Sequence, residues 1–293
     1  MKIVRYFFII FILIGLQSSA QTSKLSNSLF WEITGKDLTK PSYLFGTYHF
    51  AGKDFLDSMH NVNNKLNASD LVIGELLFTD SLLAKKLSKY MLMNGNTLDK
   101  ILTEQEYKLV GDYLIKIAKV DINSLKYLNP MAVKVMILQF TSPVTFSKEN
   151  TAIDAYFQEY GNLHNKAVIG LETIEEQGKI LFGASIERQK KQLLDNVLNY
   201  EKYKKLAEEG FEAFKAQDLN KIEKSFQETD EFTPEEFEVL LKNRNIAWIK
   251  KLPSLIKNKS AFIAVGVGHL VGEWGLINLL QKEGYTVTPI KTN

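Results

Sequence analysis

Short apolar runs and long amphipathic stretches alternate along this chain, and their order predicts an α/β fold. Near the N-terminus, Leu29-Phe30-Trp31-Glu32-Ile33 and Ser42-Tyr43-Leu44-Phe45 read as paired strands across a polar turn holding Gly35 and Pro41. Asp70-Leu71-Val72-Ile73-Gly74 and Ala167-Val168-Ile169-Gly170-Leu171 are compact apolar runs of the buried-strand type. Ala261-Phe262-Ile263-Ala264-Val265 and Tyr285-Thr286-Val287-Thr288 complete the set. Between them lie two helical blocks, at about 80–160 and about 173–257. The first carries a capping box, Thr103-x-x-Glu106, and a helix that opens at Pro130 after Asn129. The last helix of the second opens on Thr233 as N-cap, with Pro234 at its first position and Glu236 closing the box. No Gly/Ser/Pro-rich linker borders either block, so residues 21–293 read as a single domain with large helical insertions.

The two ends of the chain echo each other. Gly46-Thr47-Tyr48-His49-Phe50-Ala51-Gly52 and Gly266-Val267-Gly268-His269-Leu270-Val271-Gly272 both spell G-x-x-H-x-x-G, each after an apolar strand. Each is followed by a short amphipathic segment, at 55–66 and 274–280, and then by another strand. The expected architecture is a central mixed β-sheet built from two strand–GxxH–helix–strand repeats. Parallel strands in one sheet put their following loops on one edge, which would bring His49 and His269 together. Glycines there allow sharp turns and close backbone approach to a ligand. The other two histidines, His60 and His164, sit among polar neighbours and read as solvated.

Acidic residues emerge on the same edge. Glu75 ends the run Asp70–Gly74, and Glu172 follows Gly170-Leu171. A carboxylate at a strand end must be solvated, hydrogen-bonded or metal-bound. In the helix after Thr233, the stripe Phe237, Leu241, Arg244, Trp248 follows i, i+4, i+7, i+11, so Arg244 falls among apolar residues. An inward arginine needs a carboxylate such as Glu172 or a bound anion, unless it snorkels to the rim.

The N-terminus adds a compartment. Lys2 and Arg5 precede an apolar run at 6–16, and Gln17-Ser18-Ser19-Ala20 offers small residues for cleavage after Ala20. Residues 1–20 therefore read as a secretory signal peptide, and the run is short for a bilayer core of about 30 Å. The expected location is periplasmic or secreted, with no integral membrane span after signal cleavage. Lys2 and Arg5 are the only charges in that segment, so the remaining chain carries 34 basic and 34 acidic residues. Such a balance lacks the basic footprint of a nucleic-acid binder. The chain has no cysteine, which excludes disulfides, thiolate metal sites, iron–sulfur clusters and a cysteine-linked lipid anchor.

Phe45-Gly46-Thr47-Tyr48-His49, Ile73-Gly74-Glu75, Gly170-Leu171-Glu172-Thr173 with Gln177, Arg244-Asn245 and Val265-Gly266-Val267-Gly268-His269 together resemble the TraB/GumN family, which includes the TIKI-type metalloproteases. The wider superfamily is similar in fold to erythromycin-esterase-like and ChaN-like proteins. TIKI-type members are regarded as manganese- or cobalt-dependent proteases, and the resemblance implies metal ligands at His49, His269 and Glu75. Many relatives have Gly before the aspartate that aligns with Asp154, whereas this chain has Ile153, which leaves Asp154 a weak candidate. The expected function is a metal-dependent hydrolase acting on a peptide or small molecule, with a divalent ion (manganese, cobalt or zinc). In it Glu75 serves as ligand or general base, and Arg244 stabilises an oxyanion or orients Glu172. Two non-catalytic readings compete: a metal- or haem-binding protein, with Tyr48 beside His49 as an axial candidate, and a protein that sequesters a peptide.

Overall fold

The computed structural model describes residues 25–78, 82–142, 144, 146–228 and 231–293. The expected signal peptide at 1–20 lies outside the described residues. Six strands form one mixed sheet: β1 (Phe30–Thr34), β2 (Ser42–Thr47), β3 (Leu71–Gly74), β4 (Ala167–Gly170), β5 (Ala261–Gly266) and β6 (Thr286–Pro289), in the order β4-β3-β5-β2-β1-β6. β1 and β2 pair antiparallel, as the polar turn predicts, and Gly35 takes φ +80° in that turn. β2, β5, β3 and β4 run parallel, and β6 pairs antiparallel with β1 at the far edge.

The two repeats are thus adjacent where it matters. β2 and β5 are direct neighbours, with Gly46 opposite Val265 and Thr47 opposite Gly266. β3 is buried along its whole length, as expected of a central parallel strand. β4 departs from that expectation: it is the edge strand, and its residues are half-buried or exposed.

The helices that follow the GxxH loops differ from the sequence reading at their starts. After the first loop a 3-10 turn (Lys53–Leu56) precedes α1 (His60–Ala68), and after the second loop the helix spans Leu276–Lys282. The first helical block contains α2 (Leu83–Met91), α3 (Leu98–Ile101), α4 (Glu104–Ala118), α5 (Pro130–Phe140) and α6 (Ile153–Leu163). The second contains α7 (Ile174–Phe182), α8 (Ile186–Leu198), α9 (Tyr200–Lys215), α10 (Leu219–Glu228), α11 (Pro234–Phe237) and α12 (Asn243–Ile256), and α13 is Leu276–Lys282. The capping boxes of Thr103 with Glu106 and of Thr233 with Glu236 both form, and the Asn129 side chain caps α5 ahead of Pro130.

Two apolar clusters hold these elements. The larger surrounds the sheet, where Phe157 of α6 packs 5.5 Å from Phe45 of β2 and 4.8 Å from Phe262 of β5. That contact fixes α6 against the sheet and sets Asp154, one turn earlier on the same helix face, beside the first GxxH loop. The smaller cluster joins α3, α4, α5 and α8 through Leu98, Leu114, Val133, Ile137 and Leu193. A π-helical turn, Glu238–Lys242, lies between α11 and α12, a break in what the sequence predicts as one helix. Beyond it Arg244 and Trp248 are buried, whereas Phe237 and Leu241 are half-buried.

Candidate metal and hydrolase site

The carboxyl ends of β2, β3, β4 and β5 deliver His49, Glu75, Glu172 and His269 to one sheet edge, the position where open α/β sheets bind ligands. The β3–β4 ladder continues past the strands, with Leu171 N–H donating to Gly74 O and Glu172 N–H to Glu75 O, both at 2.9 Å. The two glutamates are therefore set side by side. Gln158 clamps the loop after Glu75, donating through Nε2 to Leu76 O at 2.7 Å and accepting Phe78 N–H at 2.9 Å.

Arg244 reaches this edge from α12 and is the hub of the site. Its Nε and Nη2 donate to the two oxygens of Glu172, at 3.0 and 2.6 Å, and Nη2 also donates to Glu75 Oε2 at 2.6 Å. Nη1 lies 3.1 Å from Leu240 O, in the π turn, and 2.9 Å from His269 Nε2. A guanidinium only donates, so His269 Nε2 is the acceptor and the ring carries its proton on Nδ1. That Nδ1–H donates to Asn245 Oδ1 at 2.6 Å. Asn245 Nδ2 in turn donates to His269 O at 3.1 Å and Trp274 O at 2.7 Å, which fixes the amide orientation. Trp248 covers the ring at 4.4 Å.

His49 has different surroundings. Its Nδ1 is 3.2 Å from Asp154 Oδ2, while Asp154 Oδ1 accepts the Thr47 hydroxyl at 2.6 Å. The side chain is 63% exposed, against 5% for His269. Each imidazole is held through Nδ1 by an oxygen acceptor, the arrangement that orients metal-binding histidines.

Gly266 shows how closely the groups approach. A Cβ on this residue would stand 3.1 Å from Glu75 Oε1, 3.6 Å from His49 Nε2 and 3.7 Å from His269 Cδ2. Its own N–H donates to Glu75 Oε1 at 2.7 Å. The glycine opens a cradle that any side chain would fill. Among the described residues, no group of three His, Cys, Asp or Glu side chains could hold a metal ion in the arrangement seen. By chemical type, two imidazoles oriented through their second nitrogens and a carboxylate are donors that a borderline divalent ion takes, once Arg244 and the side chains move.

The electrostatics separate the two histidines. Burial pushes His269 down to about 3, with Glu75 opposing and the Arg244 and His49 charges adding, so its ring is neutral at pH 7. The protein packed around the inner edge of the otherwise exposed His49 ring lowers it, but the Asp154 charge and hydrogen bond, with the Glu75 charge, outweigh this and raise the group to about 9. Burial raises Glu75, yet the charges of His269, which is protonated in the acid range where Glu75 titrates, of His49 and of Arg244, with the Gly266 N–H, hold it far below the usual carboxylate range, at about 2.

A cleft of about 290 Å³ opens over His49, Glu75 and Arg244, with Phe78 and Leu181 among its apolar walls. A larger, mostly apolar cavity of about 530 Å³ borders Asn245 and Gly268 but not His49, Glu75 or Arg244, so the smaller cleft is the one that faces the candidate ligands. Tyr48 turns away from the site. Its ring stacks 5.3 Å from Phe214, and its hydroxyl donates to Ala207 O, which removes it as an axial ligand beside His49. His60 and His164 are exposed, as expected.

Sequence reasoning left two members of this site without a role. Asp154 lies on the buried stripe of α6 with Phe157, Gln158 and Gly161, and Asn245 on that of α12 with Trp248, Ile249 and Leu252. The periodicity that marks Arg244 as inward marks both of these as well.

Fold and site together define an α/β protein with two histidine loops and two glutamates meeting at one sheet edge. The family model of TraB/PrgY/gumN proteins matches residues 29–289, and the chain belongs to that family. Among curated proteins, it is 22% identical to metalloprotease TIKI2 of Danio rerio, over 91% of this chain and 61% of that protein. It is 24% identical to the metalloprotease TIKI homolog of Amphimedon queenslandica, over 89% of this chain and 61% of that one, and 22% identical to metalloprotease TIKI2 of Xenopus tropicalis, over 89% and 59%. The chain thus spans about three-fifths of the length of these relatives. No solved structure matches it. Among the described residues, no helix is long and apolar enough to cross a membrane.

Proposed function

We propose that this protein is an exported metal-dependent hydrolase of the peptidase type, with His49, His269 and Glu75 as ligands of a divalent ion such as manganese, cobalt or zinc. The observation that carries the reading is the approach of all three groups to one point beside Gly266. The metalloprotease names of the relatives support the reaction class. When bound, the ion supplies Lewis acidity and a water of lowered pKa.

The chain's own residues do the rest. Asn245 holds His269 in the tautomer whose Nε2 is unprotonated, and Asp154 holds His49 through Nδ1 so that Nε2 is the nitrogen left for a ligand. Before that, His49 must lose the proton that Asp154 and Glu75 favour. Glu172 has both oxygens on Arg244 and also accepts Gln177 Nε2 at 2.9 Å, so its part is to hold the guanidinium. Arg244, so held, is the cation that faces a developing oxyanion in the cleft. Phe78 and Leu181 shield the site from water on the apolar side of a bound substrate.

The test is metal content by mass spectrometry on the purified protein and on His49→Ala, His269→Ala and Glu75→Gln variants shown to be folded by circular dichroism. About one ion per chain, lost in all three variants, is the expected result. An equal content in wild type and variants, or none after reconstitution with manganese, cobalt or zinc, removes the proposal. A peptidase screen on metal-loaded protein, with product analysis, then separates cleavage from sequestration, because sequestration leaves the peptide intact.

A further inference from the structure

Arg244 engages the same donor atoms that a metal would use. Its Nη1 takes the lone pair of His269 Nε2 at 2.9 Å, and its Nη2 takes Glu75 Oε2 at 2.6 Å. The neutral ring of His269 has one acceptor nitrogen, so that atom serves either the guanidinium or a metal, never both. Glu75 Oε1 remains on the Gly266 N–H.

The arginine also has a reason to be there. Glu75 and Glu172 are less than one-tenth exposed and set side by side by the ladder, and two buried carboxylates need a compensating cation. The planar guanidinium meets both at once while gripping Glu172 with two parallel bonds, and its carbon lies 4.8 Å from the Trp248 ring centre. Its anchor is therefore Glu172. The contact to His269 is a single bond from a different nitrogen, the part of the network that can open without releasing the rest.

We propose that Arg244 is a built-in competitor for the metal: in the metal-free protein its guanidinium stands in for the cation at His269 and Glu75, and metal binding displaces Nη1 from His269 while Glu172 keeps the guanidinium at the sheet edge. The inference rests on the assignment of His269 and Glu75 as ligands made above. It gives Arg244 two positions, one closing the site and one freed toward the cleft, and makes metal loading the switch between them. It also sets the affinity below what the same ligands would give alone, because binding must break a charge-assisted hydrogen bond and bring a second cation near the first.

The test is calorimetric titration of Mn²⁺ or Zn²⁺ into wild type and into the double variant Arg244→Met/Glu172→Met. That variant replaces the buried pair by apolar groups of similar length, an exchange that buried ion pairs often tolerate. Binding at least about tenfold tighter in the variant is expected, the equivalent of one such hydrogen bond. Equal or weaker binding in the variant, with wild type still binding one ion, overturns the competition and leaves the ligand assignment standing. Absence of binding in both overturns the competition and the ligand assignment together. Should the variant not fold, nitrogen NMR of wild type decides. Metal saturation should shift the His269 Nε2 and Arg244 guanidinium signals together in proportion to bound ion, and an Arg244 signal unmoved by stoichiometric metal refutes the exchange.

Discussion

Gly266→Ala is the sharpest test of where the ligands converge. The residue sits at φ −51° and ψ 135°, a backbone that alanine adopts without strain. The substitution itself favours folding by about 0.4–1 kcal/mol through the unfolded chain. Against this stands the new methyl, 3.1 Å from Glu75 Oε1, a contact that pushes the carboxylate off its rotamer at a cost of about 0.5–1.5 kcal/mol. The two effects nearly cancel. A net change within about 1 kcal/mol shifts the melting temperature by no more than about 2–4 °C in a chain of this size.

Metal binding should respond on a different scale. Ligand bonds to a divalent ion are about 2.0–2.2 Å long, and the methyl would lie within 3.7 Å of Glu75 Oε1, His49 Nε2 and the Cδ2 edge of the His269 ring, crowding the side chains that would have to close on the ion. The expected loss in affinity is at least about 100-fold, or about 2.7 kcal/mol. Calorimetry with Mn²⁺ or Zn²⁺, beside thermal unfolding of the metal-free proteins, separates the two scales. Wild-type affinity in a folded Gly266→Ala protein would refute the reasoning, since the donors could not then meet beside this residue. A large fall in melting temperature would refute the stability half.

Two further predictions follow from the orienting groups and the titrations. Asp154→Asn keeps an acceptor for His49 Nδ1 but removes the charge. Metal should bind about 10–100-fold more weakly, and the NMR titration midpoint of His49 should fall from about 9 toward the ordinary histidine value, whereas an unchanged midpoint would refute the role of Asp154. The stability of the metal-free protein, followed by urea unfolding across pH, should peak near the ordinary histidine pKa of about 6.5. His269 and Glu75 are lowered in the fold, so their contributions are complete above the unfolded values and are lost as pH falls toward about 3 and about 2. His49 is raised, so its contribution is complete below the unfolded value and is lost as pH rises through about 9. A stability that keeps climbing from pH 6.5 to 9 would contradict the His49–Asp154 pairing.

Much of the site was legible in the sequence because it sits where strands end. A strand-terminal glycine followed three residues on by histidine, or within two by glutamate, carries its own address, and parallel strands bring such addresses to one edge whatever their separation along the chain. Hence His49, Glu75, Glu172 and His269 meet as expected. Arg244 was legible from helical period alone, and its partnership with Glu172 follows from the cost of leaving an inward charge unpaired. What was not legible depends on packing between distant elements. Asp154 reaches His49 because Phe157 docks α6 between Phe45 and Phe262, 105 residues away from the histidine it holds. The π turn at Glu238–Lys242, the edge position of β4 and the outer place of β6 likewise carry no local signature.

The repeat in the sequence also suggests an equivalence that the structure denies. In the β2–β5 ladder Gly46 faces Val265, so the second motif stands one residue further along the sheet than the first. That offset accompanies two different environments. His49 is open and paired with a carboxylate; His269 is enclosed by Trp248, Arg244 and Asn245. Alanine should therefore act differently at the two positions in metal-free protein. At His49 it removes an exposed ring together with its ion pair to Asp154, a solvent-screened contribution of about 0–1 kcal/mol that is present below the alkaline limb. At His269 it deletes a buried ring and leaves one Arg244 Nη1–H and the Asn245 Oδ1 without their partners, each lost bond costing about 1–3 kcal/mol on top of the cavity, while Nη1 keeps Leu240 O. Urea unfolding at pH 6.5, without metal, should show His269→Ala destabilised by about 2–5 kcal/mol and His49→Ala by no more than about 1 kcal/mol. Equal stabilities for the two variants would mean that the Arg244–His269–Asn245 chain contributes nothing to the fold, and the asymmetry drawn from the ladder offset would go with it.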